Sequence, residues 1–383
     1  MKIYQNISVY DAAQKRISYL FDEFENVVVG MSGGKDSTTV FNLCYLEAKK
    51  RNRLPLTVMW LDQEAEFEHT EKYVKSIMYH PDVNPLWLQI PFKIFNATSN
   101  KEEWLECWDV NKPEEWMRPK DTISVKENNF GTDRFHEMFT KVMEYYYPNQ
   151  KACYIAGVRC EESPTRYVAL TTAATYKHIT WGKILNRKMQ HFTFYPIYDW
   201  TYIDIWKAIH DNNWPYNEIY NFQYRYGLPI QKMRVSNLNH ETALSSLLYL
   251  QEVEPETWQK LSKRLSGINT VKHLKAEAIT VIDKLPEAFE SWKEYAYYLL
   301  ENLITDDKRR LIFSKHFEKL EEKYKNLVHQ KDTMYKNMVT TLVINDFEFT
   351  KLNNWERNPE LNAWRHWNKK GILPLKKNKY IHG

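Results

Sequence analysis

Apolar positions along the first 235 residues alternate between two periods. Ala13, Ile17, Leu20, Phe21 and Phe24 follow helical spacing. Val27-Val28-Val29-Gly30-Met31 is a short unbroken apolar run, the pattern of a strand buried on both faces. Thr38 to Lys50 reads as a helix with Val40, Leu43, Cys44 and Leu46 on its inner side. A second strand runs from Leu56 to Leu61 and ends at Asp62; Glu68 to Met78 is helical, and Pro85 to Ile90 is a third strand. Strand and helix alternate, which predicts an α/β fold on a parallel sheet.

The pattern then changes. Residues 95–150 hold Trp104, Trp108 and Trp116, polar turns and a helical patch from Phe135 to Tyr147, and read as an insertion that covers the site. The sheet pattern resumes at Ala152 to Val158, and Tyr202 to Asn212 forms another helix. Beyond about residue 235 strand signals fade, and residues 240–345 are helical in pattern, with breaks at Pro255, Gly267 and Pro286. Two domains are therefore expected: 1–235, with the insertion at about 95–150, and a mainly helical 236–383.

Composition narrows this little. Hydrophobic residues make up 43% and charged residues 27%, enough for a core in a soluble protein. The net charge of +4 over 383 residues is nearly balanced, so any nucleic-acid surface must be local. The four cysteines, Cys44, Cys107, Cys153 and Cys160, form no C-x-x-C pair, which argues against an Fe–S cluster or a zinc site. A reduced, cytoplasmic setting is the simple expectation. The first ten residues are too polar for a signal peptide, and no apolar run is long enough to span a membrane.

The candidate chemistry starts at Ser32-Gly33-Gly34-Lys35-Asp36-Ser37, between strand and helix. Two glycines let the backbone turn tightly and approach a ligand. Successive N–H groups and the start of the next helix favour an anion. Ser32 and Ser37 offer hydroxyls, and Lys35 offers a compact charge for phosphate. Asp36 repels phosphate, so it should hold Mg²⁺ or cap the helix. The competing reading is an ordinary left-handed turn with a serine cap. The loop is not the longer Gly-x-x-x-x-Gly-Lys-Ser/Thr loop of kinases and GTPases.

Ser32 to Ser37 resembles the PP-loop of N-type ATP pyrophosphatases. Three later segments resemble the phosphoadenosine phosphosulfate (PAPS) reductase family within that class. These are Trp60 to Phe67 with Thr70, Gly157-Val158-Arg159-Cys160-Glu161-Glu162-Ser163 with Arg166, and Tyr195-Pro196-Ile197 with Asp199-Trp200 and Asp204-Ile205-Trp206. The resemblance covers roughly residues 10–235, and the chain end resembles the IbrA-like subgroup with a helical extension. It implies an adenine nucleotide α-hydrolase-like parallel sheet with helices on both faces, ATP and Mg²⁺ as cofactors, and a strand end at Asp62 flanking adenine and ribose. The subgroup also suggests a ParB-like partner protein.

Arg159 and Arg166 follow an apolar strand, and their guanidinium forks suit phosphate or sulfate; internal salt bridges are the alternative. Glu161 and Glu162 are read as orienting these arginines. Lys183, Arg187 and Lys188 either close over polyphosphate or form a solvated turn, and Asp199, Trp200, Asp204 and Trp206 are read as structural. The histidines, among them His69, His178 and His191, form no ligand set.

One departure changes the expected chemistry. The family's reductases use a cysteine in a late Glu-Cys-Gly-x-His segment, and no cysteine follows Cys160 here. What remains is chemistry without a protein nucleophile: cleavage of ATP between the α and β phosphates, by adenylyl transfer or pyrophosphate hydrolysis. In that reading Lys35 neutralises pyrophosphate, Arg159 holds the α-phosphate or acceptor, and Lys35, Asp36 and Arg159 form the catalytic set. The binding set is Ser32 to Ser37 with Asp62, Gly157, Arg159 and Arg166. The rivals are a PAPS- or adenylylsulfate-using enzyme and a nucleotide-sensing module. The tail, with Arg365, Lys369, Lys370, Lys376, Lys377 and Lys379 among Trp364, Trp367 and Tyr380, raises DNA contact as an expectation, against a solvated or packed tail. A homo-oligomer is a further open expectation.

Overall fold

A computed structural model describes residues 5–95, 104–235, 237–238, 244–265, 285–304, 306–327, 330–343, 346–358 and 361, with backbone alone at 95, 244–246 and 248. These residues fall into two compact units, one reaching residue 265 and one starting at 285.

The first unit is built on a six-stranded sheet. Its strands are β1 (Asn26–Gly30), β2 (Leu56–Leu61), β3 (Val83–Leu88), β6 (Ala152–Ile155), β7 (Gly182–Asn186) and β8 (His191–Phe194). The order is β3-β2-β1-β6-β8-β7; all neighbours run parallel except β7, which pairs antiparallel with β8 at the edge. β1 shows why the run Val27 to Val29 is unbroken. Val27 and Val29 enter the core shared with α1 (Val9–Glu23), α2 (Lys35–Lys50), α3 (Glu68–Met78) and α6 (Tyr202–Asp211). Val28 is also fully buried but lies outside that cluster, as residue alternation across a sheet requires. On that side Phe139 of α4 (Phe135–Tyr146) packs on Tyr154 of β6, with ring centroids 5.6 Å apart. The sheet is thus covered by helices on both faces.

The chain leaves β1 by way of α2 to β2, then by way of α3 to β3, and returns to place β6 on the other side of β1. The carboxyl ends of β1 and β6 therefore flank a topological switch point, where open α/β sheets bind ligands.

Between β3 and β6 lie the antiparallel pair β4 (Phe92–Phe95) and β5 (Trp104–Cys107), and then α4. The stretch after β5 folds back on the end of β2: the Trp108 indole N–H donates to the Asp62 carbonyl at 2.8 Å. Two sequence expectations need correction. Leu46, placed inside by spacing, is 42% exposed, because the buried stripe of α2 runs through Val40, Leu43 and Cys44. The helix also starts at Lys35 rather than Thr38, so half of the loop motif is its first turn.

Helices α8 (Leu244–Val253) and α9 (Pro255–Arg264) belong to the first unit, although the sequence suggested a boundary near residue 235. Helical spacing marks a buried face but not the neighbour that buries it. The second unit holds the helices Trp292–Asn302, Asp307–Lys323, Lys331–Val343 and Thr350–Glu356 around Phe313, Phe317, Tyr324, Met338 and Leu352. The basic tail expected to contact DNA, Arg365 to Lys379, lies outside the described residues. Among the described residues no helix is long and apolar enough to cross a membrane.

Candidate functional site

The loop after β1 is fixed from several sides. Gly33 has φ +73°, and a Cβ there would stand 2.6 Å from the Thr70 methyl and 2.9 Å from a Val74 methyl. Glycine is needed for both backbone conformation and space. The Asn217 amide donates to the Gly33 carbonyl at 3.1 Å and to the Thr70 hydroxyl at 2.8 Å. The Ser32 and Ser37 hydroxyls lie 3.0 Å apart, and Ser37 donates to the Gly34 carbonyl at 2.9 Å. Gly34 is the N-cap of α2 and has no side chain to cap it; the Tyr220 hydroxyl takes the first amide, Lys35 N–H, instead. Asp36 sits in the first turn and does not serve as cap. The remaining first-turn amides and the helix dipole suit an anion here.

Gly157, after β6, closes the other wall. A Cβ there would stand 2.7 Å from the Asp36 carbonyl carbon and 2.9 Å from the Ser37 nitrogen. The chain at Gly157 therefore lies directly against the loop, which brings Arg159 to it. The Arg159 Nε donates to Asp36, and its Nη1 donates to Glu161 at 2.7 Å. The Glu162 carboxylate accepts from the Arg159 backbone N–H at 3.2 Å and pairs with Arg166. Both arginines are salt-bridged, Arg159 to Asp36 of the loop and Arg166 to Glu162.

Lys35 is buried. Its ammonium donates to the Met233 carbonyl at 3.1 Å and lies 3.5 Å from Asp36, and its backbone N–H donates to the Tyr220 hydroxyl at 2.9 Å. Burial lowers its pKa, Asp36 opposes this, and Arg159 and Arg234 add to the lowering. Burial also lowers the Arg166 pKa, with Asp36 opposing and Arg159 and Arg234 assisting. Lys35 and Arg159 thus pair with Asp36, Arg166 feels its charge, and exposed Arg234 adds positive charge felt by Lys35 and Arg166, a set that an anionic ligand would relieve. The sequence pointed to Lys35, Arg159 and Arg166. Arg234, Asn217 and Tyr220 lie outside the recognisable motifs, and only the fold brings them in.

Asp62 is at the carboxyl end of β2, and its carboxylate is fully occupied. It accepts from Arg118 at 2.6 Å, from the Glu64 N–H at 3.0 Å, from the Trp87 indole at 2.9 Å and from the Gln89 amide at 3.0 Å. The side chain anchors the strand end and has no acceptor position to spare for a ribose hydroxyl. Nearby Glu66 is 6% exposed; burial and the charge of Asp62 push its carboxyl up to about 8, against the pull of Arg118.

The remaining candidates are structural or distant. Asp199 forms a bidentate pair with Arg16, the Trp200 indole donates to the Val9 carbonyl at 3.0 Å, and Asp204 completes the capping box of α6. Lys183 lies on β7, the far edge of the sheet, and Arg187 and Lys188 follow it in the hairpin turn. His69 is bound to Glu254, and His191 is buried with Nε2 3.0 Å from the Tyr147 carbonyl. Cys44, Cys107 and Cys153 are buried, and burial raises each thiol pKa. Among the described residues no group of three His, Cys, Asp or Glu side chains could hold a metal.

Comparison with known proteins bears on the family of the chain. The chain is 26% identical over 331 residues to an uncharacterized Escherichia coli protein, YbdN, covering 79% of this chain and 77% of that one. It is 31% identical over 167 residues to an adenosine 5'-phosphosulfate reductase of Anoxybacillus flavithermus, covering 44% of this chain and 57% of the reductase. Among solved structures, a PAPS reductase from Candida auris in a phosphate complex aligns with TM-score 0.32 at 11% identity, over 58% of this chain and 93% of that one. A Candida glabrata FMN adenylyltransferase in complex with ATP aligns with TM-score 0.33 at 14% identity, over 57% of this chain and 62% of that one. Residues 227–369 match a domain of unknown function, DUF3440. Residues 26–226, more than half of the chain, match the phosphoadenosine phosphosulfate reductase domain, and the chain belongs to that family.

Proposed function

We propose that this protein binds ATP through the loop Ser32–Ser37 and cleaves it between the α and β phosphates, by adenylyl transfer or by pyrophosphate hydrolysis. The observation that carries the reading is the gathering of Lys35, Arg159 and Arg166 around the start of α2 at the switch point of the sheet. Charge stabilisation of a leaving pyrophosphate needs groups held in advance at its oxygens. Lys35 is pre-positioned by Met233 and Asp36, and Arg159 by Asp36 and Glu161. An incoming phosphate would replace the Met233 carbonyl at the ammonium.

Metal chemistry fits in a limited form. Asp36 is the carboxylate at the loop, and Arg159 and Lys35 already share its oxygens. A Mg²⁺ ion would therefore be held chiefly by the nucleotide phosphates, with Asp36 as its protein ligand, and would neutralise developing charge on the pyrophosphate. Thiol chemistry has little support, because three of the four cysteines are buried with raised pKa values. The likeness to an adenosine 5'-phosphosulfate reductase favours a second reading, in which the same cations hold a sulfonucleotide. The sensor reading, with a ParB-like partner or DNA, rests on the basic tail, and the cytoplasmic setting rests on the unpaired cysteines.

Calorimetry separates the ligands. The parent chain is expected to bind ATP with Mg²⁺, and inorganic pyrophosphate should compete with it. Lys35→Ala should weaken both by at least ~10-fold while the far-ultraviolet spectrum stays unchanged. Equal binding by Lys35→Ala would place the phosphates elsewhere, and adenosine phosphosulfate binding without competition by pyrophosphate would favour the sulfonucleotide.

A further inference from the structure

Residues 233–264 fall within the match to the domain of unknown function, yet they attach to the nucleotide unit at successive points. The Met233 carbonyl accepts from Lys35 at 3.1 Å. The Asn237 amide donates to the Gln63 carbonyl at 3.0 Å, and the Leu238 N–H donates to the Ala65 carbonyl at 2.9 Å. Arg264 pairs with Glu64 at 2.9 Å, both side chains being buried. The last three contacts run along the connection between β2 and α3.

The attachment at Glu254 reaches furthest. Helix α3 has no side-chain cap of its own, since its N-cap residue is Phe67. Glu254 supplies the cap from the start of α9. Its buried carboxylate accepts from the Glu68 N–H at 2.8 Å and from the His69 N–H at 3.1 Å, and it also binds the His69 ring. The Thr257 hydroxyl donates to it at 2.7 Å. The next residue, Thr70, is the one Gly33 packs against and Asn217 ties to the loop. Three links therefore join Glu254 to the phosphate loop: the first turn of α3, the Thr70–Asn217 hydrogen bond and the Asn217–Gly33 hydrogen bond. A carboxylate at a helix start is favoured both by charge and by hydrogen bonding.

We infer that Glu254 is a positioning residue for the phosphate loop, so that the first part of the domain of unknown function completes the nucleotide site of this chain. It touches no ligand and acts through α3. The inference rests on the reading of Ser32–Ser37 as the phosphate grip, and the test keeps the two apart.

Full-length Glu254→Ala and Glu254→Gln are compared with the parent and with Lys35→Ala, using inorganic pyrophosphate with Mg²⁺ in calorimetry and ATP in turnover assays. Glu254→Ala should raise the dissociation constant for pyrophosphate and the KM for ATP by about 10-fold, with kcat within about 2-fold, since positioning acts on the ground-state grip. Glu254→Gln keeps one acceptor oxygen and should recover part of the loss. In the parent, pyrophosphate should slow hydrogen exchange at the Glu68 and His69 amides. Folded Glu254→Ala with parental pyrophosphate affinity, beside a defective Lys35→Ala, overturns the inference alone. Parental affinity in Lys35→Ala overturns the phosphate reading beneath it. If Glu254→Ala does not fold, a folded Glu254→Gln with parental affinity and no slowed exchange in the parent overturns it equally.

Discussion

Glu66 sets a pH signature that belongs to a single side chain. Its carboxyl is raised from 4.5 to about 8, first by burial and then by Asp62, against Arg118. In the unfolded chain the proton leaves near the ordinary glutamate value, whereas in the folded chain it stays until about pH 8. Between those values the folded state holds the extra proton, so this group's contribution to stability is complete at low pH and declines as pH rises through the window. Glu66→Gln removes the titration. Relative to the parent it should gain stability progressively from about pH 5 to pH 8, by an amount on the order of a few kcal/mol, as read by urea unfolding at each pH. A parent-minus-variant difference that does not vary with pH would show that Glu66 is not held protonated. The ion pair beside it supports a second prediction. Arg118 has 8% side-chain exposure, Asp62 has none, and removing one partner of a buried pair costs ~3–5 kcal/mol. Arg118→Met should lower unfolding stability by about that much, whereas a loss below ~1 kcal/mol would mean the pair is solvated.

At the scale of elements, the site depends on how closely two chain turns approach. The turn after β6 meets the first turn of α2 at Gly157, where a Cβ would come within 2.7–2.9 Å of backbone atoms. Backbone cannot swing aside as a side-chain end can, so Gly157→Ala should push α2 away from β6. Overpacking of this kind costs ~1–3 kcal/mol, and pyrophosphate affinity should fall with it. Parental stability and affinity together would show slack between the turns.

This is also where the sequence was most legible. The Val27–Val29 run, the glycine pair at 33–34 and the Gly157–Arg166 segment each carry a local signal, because a buried strand, a positive φ and a close backbone approach restrict residue type. Helix starts were less legible. Lys35 belongs to α2 although loop residues precede it, and Leu46 faces solvent because the buried face of α2 is turned toward Phe41 and Ala48. The partners of Asp62 could not be read from sequence at all. Arg118 reaches it across 56 residues, through a segment whose tryptophans show no period.

For the whole molecule, the alternation of strand and helix announced the parallel sheet, whereas its switch point between β1 and β6 is visible only in the strand order. The end of the nucleotide unit was not announced. The family match changes at residue 227, yet the compact unit continues through α9, held by Glu254 and Arg264. Single charged residues on a helix carry no pattern that names their distant partners. The proposed chemistry follows from the sum of these parts: cations gathered at the switch point, three of the four cysteines withdrawn into the core and a carboxylate shared between Lys35 and Arg159. That sum supports the proposed reading of a site that grips pyrophosphate. The direct measurement is the fate of ATP labelled at the α or the γ phosphate, incubated with the full-length protein, Mg²⁺ and cell extract as a source of acceptor. The γ label should appear in pyrophosphate and the α label in AMP or an adenylate, both dependent on Lys35; ADP with labelled orthophosphate, or no release of pyrophosphate, would contradict the account.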